Sequence, residues 1–180
     1  PKAKNPPCPG ASEPHESITN ALSGSFNRAL CQKKVSEKLE SSLLRAFLHP
    51  QPRIITGHNL AQLGVRTAID ISDGLLGDLG KLCEASGVAA RLEQDSIPIA
   101  KATREVYPED AFNLALTGGE DYELLFTAPP EVMDQAIKSI RKSTPIIIGT
   151  IVSGTPGSIV LVDSLGQNQP IPGGSWDHFR

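Results

Sequence analysis

Apolar positions along this chain switch between a helical and an alternating period, and the switches mark out its elements. Val35, Leu39, Leu43, Ala46 and Phe47 recur at three- and four-residue spacing, which predicts an amphipathic helix stopping at His49-Pro50. His49 to Arg53, with prolines at 50 and 52, predicts an extended connector. Thr67 to Ile71 is a short strand candidate. Asp73 to Ser86 predicts a helix with Leu75, Leu76, Leu79, Leu82 and Cys83 on one face, and Gly87 is placed to end it. Val88 to Leu92 is expected to be a strand, with Pro98 closing the turn beyond. A helix from about Glu109 to Leu116 is followed by Gly118-Gly119 and a strand from Tyr122 to Thr127. Pro129-Pro130 opens a helix over Glu131 to Ile140, whose face is Val132, Met133, Ala136 and Ile140. Ile146 to Val152 and Ser158 to Val162 are two further strands, joined by the turn-rich Ser153 to Gly157. The tail from Pro170 to Arg180 predicts a loop.

Strands and helices interleave, so the expected fold class is α+β, a layered α/β sandwich. Residues 1 to about 30 are rich in Pro, Ser, Asn and Gly without periodicity. Residues 1–34 therefore predict a flexible arm or linker remnant, and 35–180 a single domain. Neither a repeat nor a heptad run appears.

Composition narrows the classes. A net charge of −3 supplies no basic field for nucleic acid. Membrane spanning is not expected either, because no apolar run approaches the roughly 20 residues a spanning helix needs. The N-terminus lacks the apolar stretch of a secretory signal. Three widely spaced cysteines (Cys8, Cys31, Cys83) form no CxxC pair, which argues against a disulfide framework and a zinc site. Cys83 fits a small core position. The expected location is the cytoplasm.

Two acidic clusters carry the candidate chemistry. In Asp70-Ile71-Ser72-Asp73-Gly74, Asp70 and Ser72 point to the same face of a strand. Ser72 is placed as the N-cap of the next helix, with Asp73 in its first turn. A helix start favours phosphate, and two carboxylates beside it suit Mg²⁺ bridging to substrate phosphates. The same spacing also describes an ordinary helix cap. The second cluster, Gly118-Gly119-Glu120-Asp121-Tyr122-Glu123, puts carboxylates at the mouth of an apolar strand, where they need a cation, a donor-rich ligand or backbone N–H groups. A plain turn with solvated acids is the other reading. His15, His49, His58 and His178 lack metal-ligand spacing and read as surface or connector residues. Trp176 lies between Gly-Gly-Ser and Asp-His-Phe, as a core plug or a ring that stacks on a planar ligand. P-loop, GxGxxG and Ser-His-Asp motifs are absent from the sequence.

Taken together, Asp70 to Leu75 with Asp78-Leu79, Ala85 to Ala90, Ile97-Pro98, Gly118 to Thr127, Ile148-Gly149 and Trp176 to Phe179 resemble the C-terminal half of thiamine-monophosphate kinase. That family belongs to the aminoimidazole-ribonucleotide-synthetase-related superfamily. The resemblance runs from about His49 to Phe179 with the motifs in the family's order. It implies the layered sandwich of the superfamily's C-terminal domain. It also implies transfer of a phosphoryl group from ATP to thiamine monophosphate with Mg²⁺, giving thiamine diphosphate. Carried over by motif, Asp70 and Asp73 would be Mg²⁺ ligands and Ser72 would contact the ATP phosphates. Glu120 and Trp176 would bind the thiamine substrate. Nothing in residues 1–48 resembles the family's preceding ATP-binding domain. The chain is thus expected to be inactive without that domain, and to pair with a complementing N-terminal domain or as a homodimer. The other readings are a related ATP-using member of the superfamily and a non-catalytic binding remnant.

Overall fold

The leucines of the central helix decide where the core lies. In the computed structural model, which describes residues 36–140 and 144–171, helix α3 spans Leu75–Ser86 and buries Leu75, Leu76, Leu79 and Cys83. Each fully buried leucine is worth about 1.5–3 kcal/mol of transfer free energy, so this face anchors the domain. Gly87 ends the helix in the left-handed region at φ 67°, and the Val88 N–H closes on the Cys83 carbonyl at 3.0 Å.

Before α3 come helices α1 (Glu37–Leu48) and α2 (Ile54–Gln62) and strand β1 (Thr67–Ile71). After it come β2 (Ala89–Glu93), a 3₁₀ turn (Gln94–Ser96), α4 (Lys101–Val106), α5 (Ala111–Thr117) and β3 (Glu123–Thr127). The chain continues through α6 (Pro130–Ser139), β4 (Gly149–Val152), β5 (Ile159–Val162) and β6 (Asn168–Gln169). Among the described residues the strands form two sheets. One is the antiparallel pair β1–β3; the other is a mixed sheet in the order β4-β2-β5-β6, with β2 and β5 parallel.

The pair β1–β3 separates two cores, as the alternation of side chains along a strand dictates. Ile69 lies opposite Leu125 and packs with it on the α3 side, where Leu116 of α5, Ala90 and Leu92 of β2 and Leu161 of β5 complete the main core. Leu124 and Phe126 face the other way, against Leu60 of α2 and Ala136 of α6. The result is the layered mixed α/β architecture expected from the sequence.

Boundaries differ from expectation in informative ways. Helix α2 was not expected, because Ile54-Ile55-Thr56-Gly57 lacks helix formers and its two isoleucines are about three-quarters exposed. Helix α4 and strand β6 are too short to give a period. The predicted apolar stripe of α1 buries no residue; Phe47 and Leu48 are nearly half exposed. The arm over residues 1–34 and the Trp176 loop lie outside the described residues.

Candidate active site

Two loops meet where β1 and β3 end, and backbone hydrogen bonds join them. The N–H of Tyr122 donates to the Ile71 carbonyl at 2.8 Å, and the N–H of Glu120 donates to the Ser72 carbonyl at 2.9 Å. These bonds extend the β1–β3 ladder, in which Ile71 pairs with Glu123, into both acidic clusters. The seam is too close for side chains. A Cβ on Gly119 would stand 2.6 Å from the Ser72 carbonyl oxygen, and one on Gly74 would stand 2.8 Å from that of Thr117. Gly74 also sits at φ 103°, which L-residues avoid. Glu120 (φ 69°) and Tyr122 (φ 50°) take the left-handed region without being glycine, a local cost accepted where this loop turns into β3.

The first loop corrects one expectation from the sequence. Helix α3 begins at Leu75 and its N-cap is Gly74, so Ser72 does not cap it and Asp73 is not in its first turn. A carboxylate from within the helix ties the loop down instead. Asp78, 1% exposed, accepts the backbone N–H groups of both Ser72 and Asp73 on Oδ2, each at 2.9 Å, while Lys81 Nζ lies 2.9 Å from its Oδ1. Those two amides are therefore committed to a carboxylate and not offered to a phosphate. Leucine-like burial of an aspartate demands such donors. Lys81 also pairs with Asp73, and hydrogen bonds to Asp73 first and Asp78 second raise its pKa.

The Tyr122 hydroxyl donates to Glu120 Oε2 at 3.0 Å. Its pKa is raised, chiefly by that bond, with smaller contributions from the charges of Glu120, Asp70 and Asp73. Asp70 stands on the β1 face shared with Leu124 and lines a cleft of about 350 Å³ with Arg53, Tyr122 and Glu123. Arg53 forks onto the two Glu123 oxygens, at 2.8 Å on Oε2, and the bond raises the Arg53 pKa. Asp121 reaches solvent, yet partial desolvation and then the Glu123 charge raise its pKa.

Among the described residues no three His, Cys, Asp or Glu side chains are gathered into a closed metal cage. The donor chemistry does fit Mg²⁺, which keeps several waters and takes only one or two protein carboxylates when it bridges substrate phosphates. Asp73 already pairs with the Lys81 ammonium, so a metal ion there would share or displace that cation. Asp70, Ser72, Asp73 and Glu120 are thus brought to one seam, whereas Trp176 lies outside the described residues. The sequence reading missed Asp78, Lys81, Tyr122 and Arg53 as contributors. Asp78 had a signal: a carboxylate interrupting the Leu75-Leu76-Leu79 face. Arg53 had none, since its partner is 70 positions away.

Comparison with known proteins gives the family. The model of the family "AIR synthase related protein, C-terminal domain" matches residues 26–162. The thiamine-monophosphate kinase of Escherichia coli (strain K12) is 48% identical over 88 residues, covering 48% of this chain and 27% of that protein. The solved structure of AaThiL complexed with AMPPCP and TMP superposes with a TM-score of 0.67 at 27% identity, over 86% of this chain and 46% of that one. The thiamine-monophosphate kinase structure from Stenotrophomonas maltophilia K279a gives 0.61 at 35% identity, over 75% of this chain and 42% of that one. The chain therefore spans less than half the length of these relatives. The chain belongs to the AIR synthase-related family through its C-terminal domain, and within that family it matches the thiamine-monophosphate kinases.

Proposed function

We propose that this chain serves the ATP-dependent phosphorylation of thiamine monophosphate to thiamine diphosphate, as the carboxylate-bearing half of the site. The observation that carries the reading is the backbone seam, in which the Glu120 N–H donates to the Ser72 carbonyl and the Tyr122 N–H to the Ile71 carbonyl, so that the loop bearing Asp70 and Asp73 lies against the loop bearing Glu120. Carboxylates on two adjoining loops repel one another, and a bound cation or a cationic ligand relieves that repulsion.

In this reading Asp70 and Asp73 hold Mg²⁺, which when bound neutralises phosphate charge and bridges phosphate oxygens. Ser72 contacts the ATP phosphates through its hydroxyl, because its amide is committed to Asp78. Glu120, fixed by Tyr122, meets the cationic thiamine moiety, with Trp176 stacking on it. Phosphoryl transfer asks mainly for positioning and charge neutralisation, and this chain's residues supply the acidic side of both. The remaining nucleotide contacts are assigned to a complementing N-terminal domain or a second copy, and the chain by itself is inactive. The work is expected in the cytoplasm; no helix among the described residues is long and apolar enough to cross a membrane.

Isothermal titration of the chain with thiamine monophosphate, with and without Mg²⁺ and a non-hydrolysable ATP analogue, tests the assignment. Heat that falls on Glu120→Gln, together with an Mg²⁺ dependence that falls on Asp70→Asn, supports it. Binding that is unchanged in both variants rules the residue roles out.

A further inference from the structure

Asp78 is the charged residue that the described core encloses, and the roles proposed above do not use it. At 1% exposure, on the same helix face as Leu75 and Leu79, an ionised carboxylate is costly unless donors surround it. Here they do. One oxygen accepts two successive backbone N–H groups, those of Ser72 and Asp73, and the other faces the Lys81 ammonium. The helix start has no side-chain cap, since Gly74 at the N-cap carries no side chain that could make one. The far side of the loop meets the second loop where the Ser72 carbonyl accepts the Glu120 amide.

We propose that Asp78 is the positioning residue of the phosphate-side loop: by holding the amides of Ser72 and Asp73 it turns the Asp73 carboxylate and the Ser72 hydroxyl toward the seam shared with Asp70 and Glu120. The inference rests on the reading of Asp70 and Asp73 as divalent-metal ligands. Asp78 itself touches neither metal nor substrate. Its neighbour Lys81 divides its ammonium between Asp78 and Asp73, so Asp78 also draws that cation away from the carboxylate that has to take the metal.

The geometry separates Asp78→Asn from Asp78→Ala. An asparagine carbonyl at the Oδ2 position keeps both backbone bonds, whereas alanine leaves two amides without their acceptor. The test follows Ser72 and Asp73 amide hydrogen exchange and Mn²⁺-induced broadening of the same NMR signals in the full chain. In Asp78→Ala, exchange at these two amides rises about tenfold or more, the equivalent of one lost hydrogen bond, and Mn²⁺ affinity falls by a similar factor. In Asp78→Asn the two amides stay protected. Its Mn²⁺ affinity falls only while Lys81 is present, and Asp78→Asn with Lys81→Met restores it. That rescue is a readout no merely structural residue would give. The asparagine arms decide the question if Asp78→Ala does not fold. Wild-type broadening that persists unchanged in Asp78→Ala, or a loss in Asp78→Asn that Lys81→Met fails to relieve, overturns the inference and leaves the metal reading standing. Absence of broadening at Asp70 and Asp73 in the wild type overturns the metal reading itself, and the inference with it.

Discussion

Replacing Gly119 with alanine should open the seam between the two acidic loops. The added Cβ would stand 2.6 Å from the Ser72 carbonyl oxygen, a backbone atom that cannot swing aside, whereas ordinary contact begins at 3.4 Å. The loops must therefore part by about 0.8 Å, which carries the Glu120–Ser72 bond from 2.9 Å beyond hydrogen-bonding range. Overpacking of this kind costs about 1–3 kcal/mol and the lost backbone bond about 1 kcal/mol more. For a domain of this size a loss near 3 kcal/mol lowers Tm by about 6–12 °C. Gly80→Ala is the matched control. Gly80 lies inside α3, where a Cβ would meet only the Gly157 carbonyl at an ordinary 3.7 Å. That change should stabilise by about 0.5–1 kcal/mol through helix propensity. Thermal and urea unfolding of both variants, followed by circular dichroism, reads the two shifts with opposite signs. A Gly119→Ala protein melting within about 2 °C of wild type would refute the close approach of the loops.

The Arg53–Glu123 pair, with side chains 35% and 51% exposed, should couple by less than about 1 kcal/mol in a double-mutant cycle and lose most of that in 1 M salt. Coupling of several kcal/mol that ignores salt would contradict its surface character. Asp163 accepts N–H groups from Gln167 and Leu165 and the Gln169 amide, and these bonds, Gln167's first, hold its pKa below the ordinary 3.8. Because the folded value is the lower one, its stabilisation is present above pH 3.8 and is lost as pH falls through the folded value. The stability gap between wild type and Asp163→Ala should therefore narrow as urea unfolding is moved from pH 6 toward about pH 3. A constant gap over that range would contradict the hydrogen bonding.

Much of the fold could be read from the sequence because its strongest patterns coincide with burial. The leucine face of α3 and the αL glycine that ends it belong to the main core, and the alternation in β1 and β3 follows from a core on each side of that pair. What escaped the pattern lacked a buried face or a usable period. Helix α2 carries Gly57 and two exposed isoleucines, and it is held by Leu60 against β3 and α6. The acidic motifs were visible as sequence, yet the way they meet was not. The Ser72–Glu120 bond spans residues far apart in the chain, and no local rule predicts that a carboxylate six positions on would take up the Ser72 amide. Ser72 is a good capping residue by type, but Gly74 at φ 103° moves the helix start past it.

The central claim is that Asp70, Asp73 and Glu120 form the acidic side of a thiamine-monophosphate phosphorylation site. It is tested most directly by a phosphoryl-transfer assay with ATP, Mg²⁺ and thiamine monophosphate, on the chain alone and mixed with the N-terminal domain of a thiamine-monophosphate kinase. The account predicts thiamine diphosphate only in the mixture, and its loss when the mixture carries Asp73→Asn. Turnover by the chain alone, or a mixture that is associated and folded but silent, would contradict it.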